Sequence, residues 1–222
     1  MRVLLLGATG MIGQGVLREC LRDPAVTAVL SLGRSPTGVV DPKLTEIVHP
    51  DLGDRAFLAP LLTGLDACFF CLGVSSVRLP ATEYERITYG LTIAVAEMLI
   101  AANPLLTFIY VSGQGTDSTE HGRSHWARVK GRTENQLRAM PFKRVYLFRP
   151  GMVQPLHGIT SRTRLYRVLY ALLAPLLSAL RWLFPHTITT TQQLGRAMIL
   201  VVRDGYPTPV LEPRDLTRLG AS

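Results

Sequence analysis

Val3-Leu4-Leu5-Leu6-Gly7-Ala8-Thr9-Gly10-Met11-Ile12-Gly13 is the stretch whose reading decides the fold. The apolar run reads as a buried strand, and Val16, Leu17, Cys20 and Leu21 recur behind the glycines at helical spacing. Strand, glycine turn and helix in this order form the phosphate-binding unit of a dinucleotide fold. Gly7 makes the tight turn, Gly10 lets backbone amides approach a pyrophosphate, and Gly13 lets the helix close on the sheet. Thr9, Met11 and Ile12 share that turn, where unpaired N–H groups and the positive end of the helix dipole meet an anion. An ordinary glycine-rich turn is the plainer alternative, and the context on both sides argues against it.

Working outward, 222 residues fit one α/β domain spanning 1–222, a Rossmann-like doubly wound parallel sheet of six to seven strands with helices on both faces. The opening residues resemble a secretory leader only briefly, since the apolar run ends in the glycine turn and not in a small-residue cleavage site. Three cysteines cannot all pair, which points to a reducing, cytoplasmic setting. Cys68 and Cys71 have redox-motif spacing, but residues three apart on a strand face opposite ways. The net charge is +8, and no acid occurs between Glu134 and Asp204. Such a surface suits anionic partners, yet no nucleic-acid module is present, so nucleic acid is not an expected partner.

A second strand, Val26 to Leu32, ends at Gly33-Arg34-Ser35. Folds that prefer NAD place a carboxylate here for the ribose 2′-hydroxyl. Arg34 and Ser35 instead offer a cation and a hydroxyl, which suits the 2′-phosphate of NADPH over NADH; a solvated arginine is the alternative. After a third strand, Leu44 to Val48, Asp51 is placed to accept from an adenine amino group with Leu52 against the ring, unless Asp51 or Asp54 caps the next helix. A fourth strand, Leu65 to Cys71, leads to Leu72-Gly73, and Gly73 permits close approach to a ribose. A long helix is expected over Glu83 to Ala102, a fifth strand over Thr107 to Val111 with Ser112 at the crevice, and a sixth over Val145 to Phe148. His121 and His125 lack further ligands at metal spacing and read as solvated loop, so no metal site is expected.

Gly7-Ala8-Thr9-Gly10-Met11-Ile12-Gly13, Cys71-Leu72-Gly73, Val111-Ser112, Val129-Lys130-Gly131 with Glu134, and Phe148-Arg149-Pro150-Gly151 together resemble the atypical short-chain dehydrogenase/reductases, specifically their small Tat-interacting-protein-like members. The resemblance covers nearly the whole chain. It implies a Rossmann-like domain binding NADPH, with Leu72, Gly73, Lys130, Pro150 and Gly151 joining the glycine turn around the cofactor. It also implies a catalytic serine, tyrosine and lysine. Ser112 and Lys130 match, but the tyrosine position holds Trp126. An indole N–H donates a hydrogen bond and does not deliver a proton at ordinary pH. Tyr84, Tyr89 and His125 are the substitutes to consider, though no spacing places them.

Residues 156–186 open with Arg162, Arg164 and Arg167 and continue almost entirely apolar, with too short an uncharged run to span a membrane. They read as a lid over the substrate crevice, a homo-oligomer interface or a helix making peripheral membrane contact. A helix from Thr191 through Arg203, capped by threonines, and a short strand and turn from Pro207 complete the chain. The resulting expectation is an NADPH-binding protein with weak or altered reduction of a small carbonyl substrate. The alternatives are an NADPH-bound regulator or sensor and a membrane-associated assembly factor.

Overall fold

The computed structural model describes residues 1–77, 79–159 and 188–221. Strands β1 (Arg2–Leu6), β2 (Ala28–Gly33), β3 (Leu44–Val48), β4 (Ala67–Phe70), β5 (Thr107–Val111), β6 (Arg144–Phe148) and β9 (Val210–Leu211) form one seven-stranded sheet. Its order is β3-β2-β1-β4-β5-β6-β9, parallel throughout. The order reverses between β1 and β4, so the ends of these two strands open the crevice where ligands bind in such sheets.

Helices cover both faces: α1 (Met11–Arg22), the short α2 (Arg55–Leu58), α3 (Ala81–Glu85), α4 (Thr92–Ala102), α5 (His125–Ala139), α6 (Thr191–Arg203) and α7 (Pro213–Leu219). Side-chain alternation on the strands divides the core in two. Val3, Leu5, Phe69 and Ile109 pack with Val16 and Leu17 of α1 and Leu194 and Met198 of α6. Leu4, Leu6, Phe70 and Phe108 pack with Val95 and Leu99 of α4 and Leu137 of α5. Each such side chain contributes about 1.5–3 kcal/mol when fully buried. Cys68 lies in the second cluster while Cys71 packs against the first, as their spacing requires.

Four features extend or amend the sequence reading. The long helix is interrupted between α3 and α4 by a π-helical stretch, Arg86–Leu91, where the Thr92 hydroxyl donates to the Thr88 carbonyl at 2.7 Å and competes with the backbone ladder. The expected C-terminal strand and turn are followed by a further helix, α7, begun by Pro213 at its first turn. A second, two-stranded parallel sheet pairs β7 (Met152–Gln154) with β8 (Ile188–Thr190). Thr190 then caps α6 in a reciprocal box with Gln193. The reading of 156–186 as lid, interface or membrane-surface helix falls, from residue 160 onward, outside the described residues. Among the described residues no helix is long and apolar enough to cross a membrane.

Candidate cofactor site

The glycine turn is built by backbone contacts that exclude side chains. Gly7 has φ +81°, and a Cβ there would lie 2.7 Å from the Leu72 nitrogen at the end of β4. A Cβ on Gly13 would lie 2.0 Å from the Gly7 carbonyl oxygen, so α1 seats directly on the turn. The Gly10 amide donates to that same oxygen at 2.9 Å. Gly10 begins the helix without a side-chain cap, and the first turn carries no acid. The first-turn amides of Met11, Ile12 and Gly13 therefore have no acceptor within the helix and face an anion's natural place. The Thr9 carbonyl is held by the Gln14 side-chain amide at 3.1 Å. This cradle, which a Cβ would fill and which no side chain caps, fits a pyrophosphate.

Arg34 stands exposed just past β2 and has no ion pair among the described residues; Ser35 beside it is half-buried. Glu46 of β3 accepts from the Thr37 amide at 2.8 Å and pins this loop. One Asp51 oxygen accepts from the Gly53 amide at 2.9 Å, while Asp54 caps α2 through the Phe57 amide. Asp51 is exposed and its other oxygen is uncommitted, so its two roles separate: Asp54 does the capping. Leu52 is 4% exposed and packs in the core cluster that holds Leu32 and Leu58. Leu72 is half-buried and Gly73 exposed, with open space where its Cβ would stand.

At the ends of β5 and β6 the backbone ladder continues past the strands. The Ser112 amide donates to Phe148 and the Gln114 amide to Pro150, both at 2.9 Å. This brings Ser112 and Gly113 beside Pro150 and Gly151. Lys130 of α5 donates its ammonium to the Ser112 carbonyl. Burial pulls its pKa down to about 8, partly opposed by the negative charge of Glu134. The Ser112 side chain is only 5% exposed. Its hydroxyl donates to Glu134 Oε1 at 2.5 Å and reaches the Phe148 carbonyl at 3.2 Å. Glu134, 1% exposed, is in turn clamped by Arg149, whose Nε donates to Oε1 at 3.0 Å and whose terminal nitrogen holds Oε2.

Trp126 lies one turn before Lys130 on the same face of α5 and is half-buried. Its ring edge passes Gly115, whose φ is +85° and whose added Cβ would lie 3.5 Å from it. The substitute acids are otherwise engaged. Tyr84 is buried at 2% exposure, and that burial pushes its hydroxyl pKa up. Tyr89 lies beneath the Arg132 guanidinium at 4.1 Å. His125 begins α5 facing α3, with its Nε2 3.4 Å from the Ala81 carbonyl oxygen. Among the described residues none of the three hydrogen-bonds to Ser112, Lys130 or Trp126.

Two site features escaped the sequence reading. Glu134 and Arg149 stood only as motif letters there, and they are the buried ion pair under Ser112. Gly131 is the point where loop 116–122 lands on α5, since a Cβ on it would lie 1.7 Å from the Asp117 carbonyl oxygen. Asp117 closes that loop by accepting from the Thr119 amide at 3.0 Å and the Gly122 amide at 2.7 Å. The run Asp117-Ser118-Thr119 before a glycine is a legible turn signal; its docking on Gly131 is not.

With this geometry in place, residues 7–153 match the model of a family described as NAD(P)H-binding. A mitochondrial fmp52-1 protein of Aspergillus terreus is 29% identical over 68% of this chain and 66% of its own length. HTATIP2 of Rattus norvegicus is 28% identical over 68% of this chain and 62% of its own. The chain thus spans just under two thirds of these relatives. In fold, it matches a dTDP-glucose 4,6-dehydratase of Streptomyces venezuelae with a TM-score of 0.71 at 19% identity, covering 99% of this chain and 80% of that one. A short-chain dehydrogenase/reductase of Saccharomyces cerevisiae matches with 0.65 at 13% identity, covering 98% of each.

Proposed function

The chain belongs to the NAD(P)H-binding family, among the atypical short-chain dehydrogenase/reductases, and from that premise we propose that it binds NADPH in preference to NADH and holds it with little or no ordinary carbonyl reduction. The glycine turn takes the pyrophosphate, and Arg34 with Ser35 takes the 2′-phosphate as a charge-assisted contact. Asp51 accepts from the adenine, and Lys130 with Gly73, Pro150 and Gly151 lines the nicotinamide end. Bound there, the reduced nicotinamide supplies a hydride. Lys130 spends one donor on Ser112 and keeps two for ribose hydroxyls.

What carries the second half of the proposal is the Ser112 hydroxyl, whose one proton is directed to Glu134 and Phe148. A carbonyl group in the crevice would need that proton for polarisation and a second group for protonation. Trp126 does not supply the second. A cofactor-bound sensor or regulator fits this arrangement better than a reductase. Calorimetric titration tests the binding half: one NADPH per chain, lost in Gly13→Val, is expected, and a flat titration of the wild-type protein refutes it.

A further inference from the structure

Lys130 and Glu134 lie four residues apart on one face of α5, yet the Glu134 carboxylate is already occupied. One oxygen accepts from Ser112 at 2.5 Å and from Arg149 Nε at 3.0 Å, and the other is held by the Arg149 terminal nitrogen. Ser112 joins the two partners. Its hydroxyl is fixed by Glu134 and its carbonyl receives the Lys130 ammonium. A buried ion pair adds little to stability compared with apolar side chains of the same size. This one sits a single residue away from the acceptor of Lys130.

We propose that Glu134, held by Arg149, is the positioning residue of the cofactor site, orienting Lys130 through Ser112. The proposal rests on the reading that Lys130 meets the cofactor. The Glu134 charge opposes the effect of burial on Lys130. Arg149, just past β6, holds both oxygens of that carboxylate, so that a buried anion is tolerated beside Ser112, and its own positive charge works against that of Glu134. Arg149 also reaches Ser118 at 2.6 Å and Glu212 at 3.4 Å, which ties the pair to loop 116–122 and to the start of α7.

The test is amine-selective labelling of Lys130 in the intact 222-residue chain, read by peptide mass spectrometry across a pH series, with no cofactor present. The wild-type midpoint is expected at about pH 8. Glu134→Gln keeps an acceptor for Ser112 and removes the charge, so the midpoint should fall by about one pH unit. The double variant Glu134→Gln/Arg149→Gln, which leaves no unpaired buried charge, should show a smaller fall in the same direction, because the opposing charge of Arg149 goes too, and serves if the single variant does not fold. NADPH affinity, measured alongside, should drop further in Glu134→Ala than in Glu134→Gln, because only the former loses the hold on Ser112. A midpoint that stays put in both neutral variants while NADPH binding remains Lys130-dependent overturns the proposal. A midpoint that moves in a protein that never binds NADPH shows the Glu134–Lys130 link but overturns the cofactor reading, and with it the assignment of Glu134 to a cofactor site.

Discussion

Ser112 donates its hydroxyl to Glu134 across 2.5 Å, in a place only 5% of its surface can be reached by water. Ser112 is therefore part of a buried hydrogen-bonded chain running from Lys130 through Ser112 and Glu134 to Arg149. Turning the hydroxyl toward a substrate would leave the Glu134–Arg149 pair one hydrogen bond short. Arg149 would still hold both carboxylate oxygens, so the cost is that of one hydrogen bond to a charged group, about 1.5–3 kcal/mol. The same side chain cannot serve both ends at once.

Gly13→Ala is expected to damage binding and stability together. Its Cβ would press 2.0 Å from the Gly7 carbonyl oxygen, which is backbone and cannot swing aside. Overpacking of this kind costs about 1–3 kcal/mol. Thermal melting should show the loss, and NADPH titration should show binding reduced beyond what the fraction unfolded explains.

The proposed preference for NADPH rests on Arg34. NADPH should bind more tightly than NADH, and Arg34→Ala should erase most of the difference. A charge-assisted contact contributes about 1.5–3 kcal/mol, hence roughly tenfold or more in affinity. Paired calorimetric titrations read it directly, and equal wild-type affinities for the two cofactors contradict it.

Lys130 makes the stability of the fold depend on pH in a defined direction. Its folded pKa is about 8, against an ordinary value of 10.5. Between these values the unfolded chain binds more protons at this residue than the folded one, so the contribution to stability rises with pH. Denaturation at several pH values should find Lys130→Met gaining on the wild type below about pH 8 and losing that advantage as pH climbs toward 10.5. A constant difference would mean that Lys130 is not desolvated.

The fold was legible because its determinants are local. An apolar strand, glycines at fixed offsets and a helical stripe behind them need only nearest neighbours to be read, and the threonine cap at Thr190 is equally local. What escaped depends on contacts distant in sequence. Glu134 and Arg149 are fifteen residues apart and meet only because α5 and β6 are adjacent. The π-helical stretch at Arg86–Leu91 leaves no composition signal, and the three-residue strands β7 and β8 are too short for alternation to appear.

Gly131→Ala should unseat loop 116–122 without touching the glycine turn. The added methyl would lie 1.7 Å from the Asp117 carbonyl oxygen, so the loop must lift from α5. Hydrogen exchange should rise at Thr119 and Gly122, whose amides donate to Asp117, while the amides of α1 keep their protection. Uniformly raised exchange across the sheet would show that Gly131 supports the whole fold and not the loop.

The decisive measurement for the proposed weak reduction is NADPH oxidation by the wild-type protein, at cofactor saturation, across a panel of small aldehydes and ketones. If Trp126 holds the proton donor's position as proposed, consumption should stay at the rate without protein or within a small multiple of it; a missing acid alone accounts for about 10²–10⁴ in rate. Sustained multiple turnovers that disappear in Lys130→Ala would contradict it, because the site would then be a working reductase with an acid still to be located.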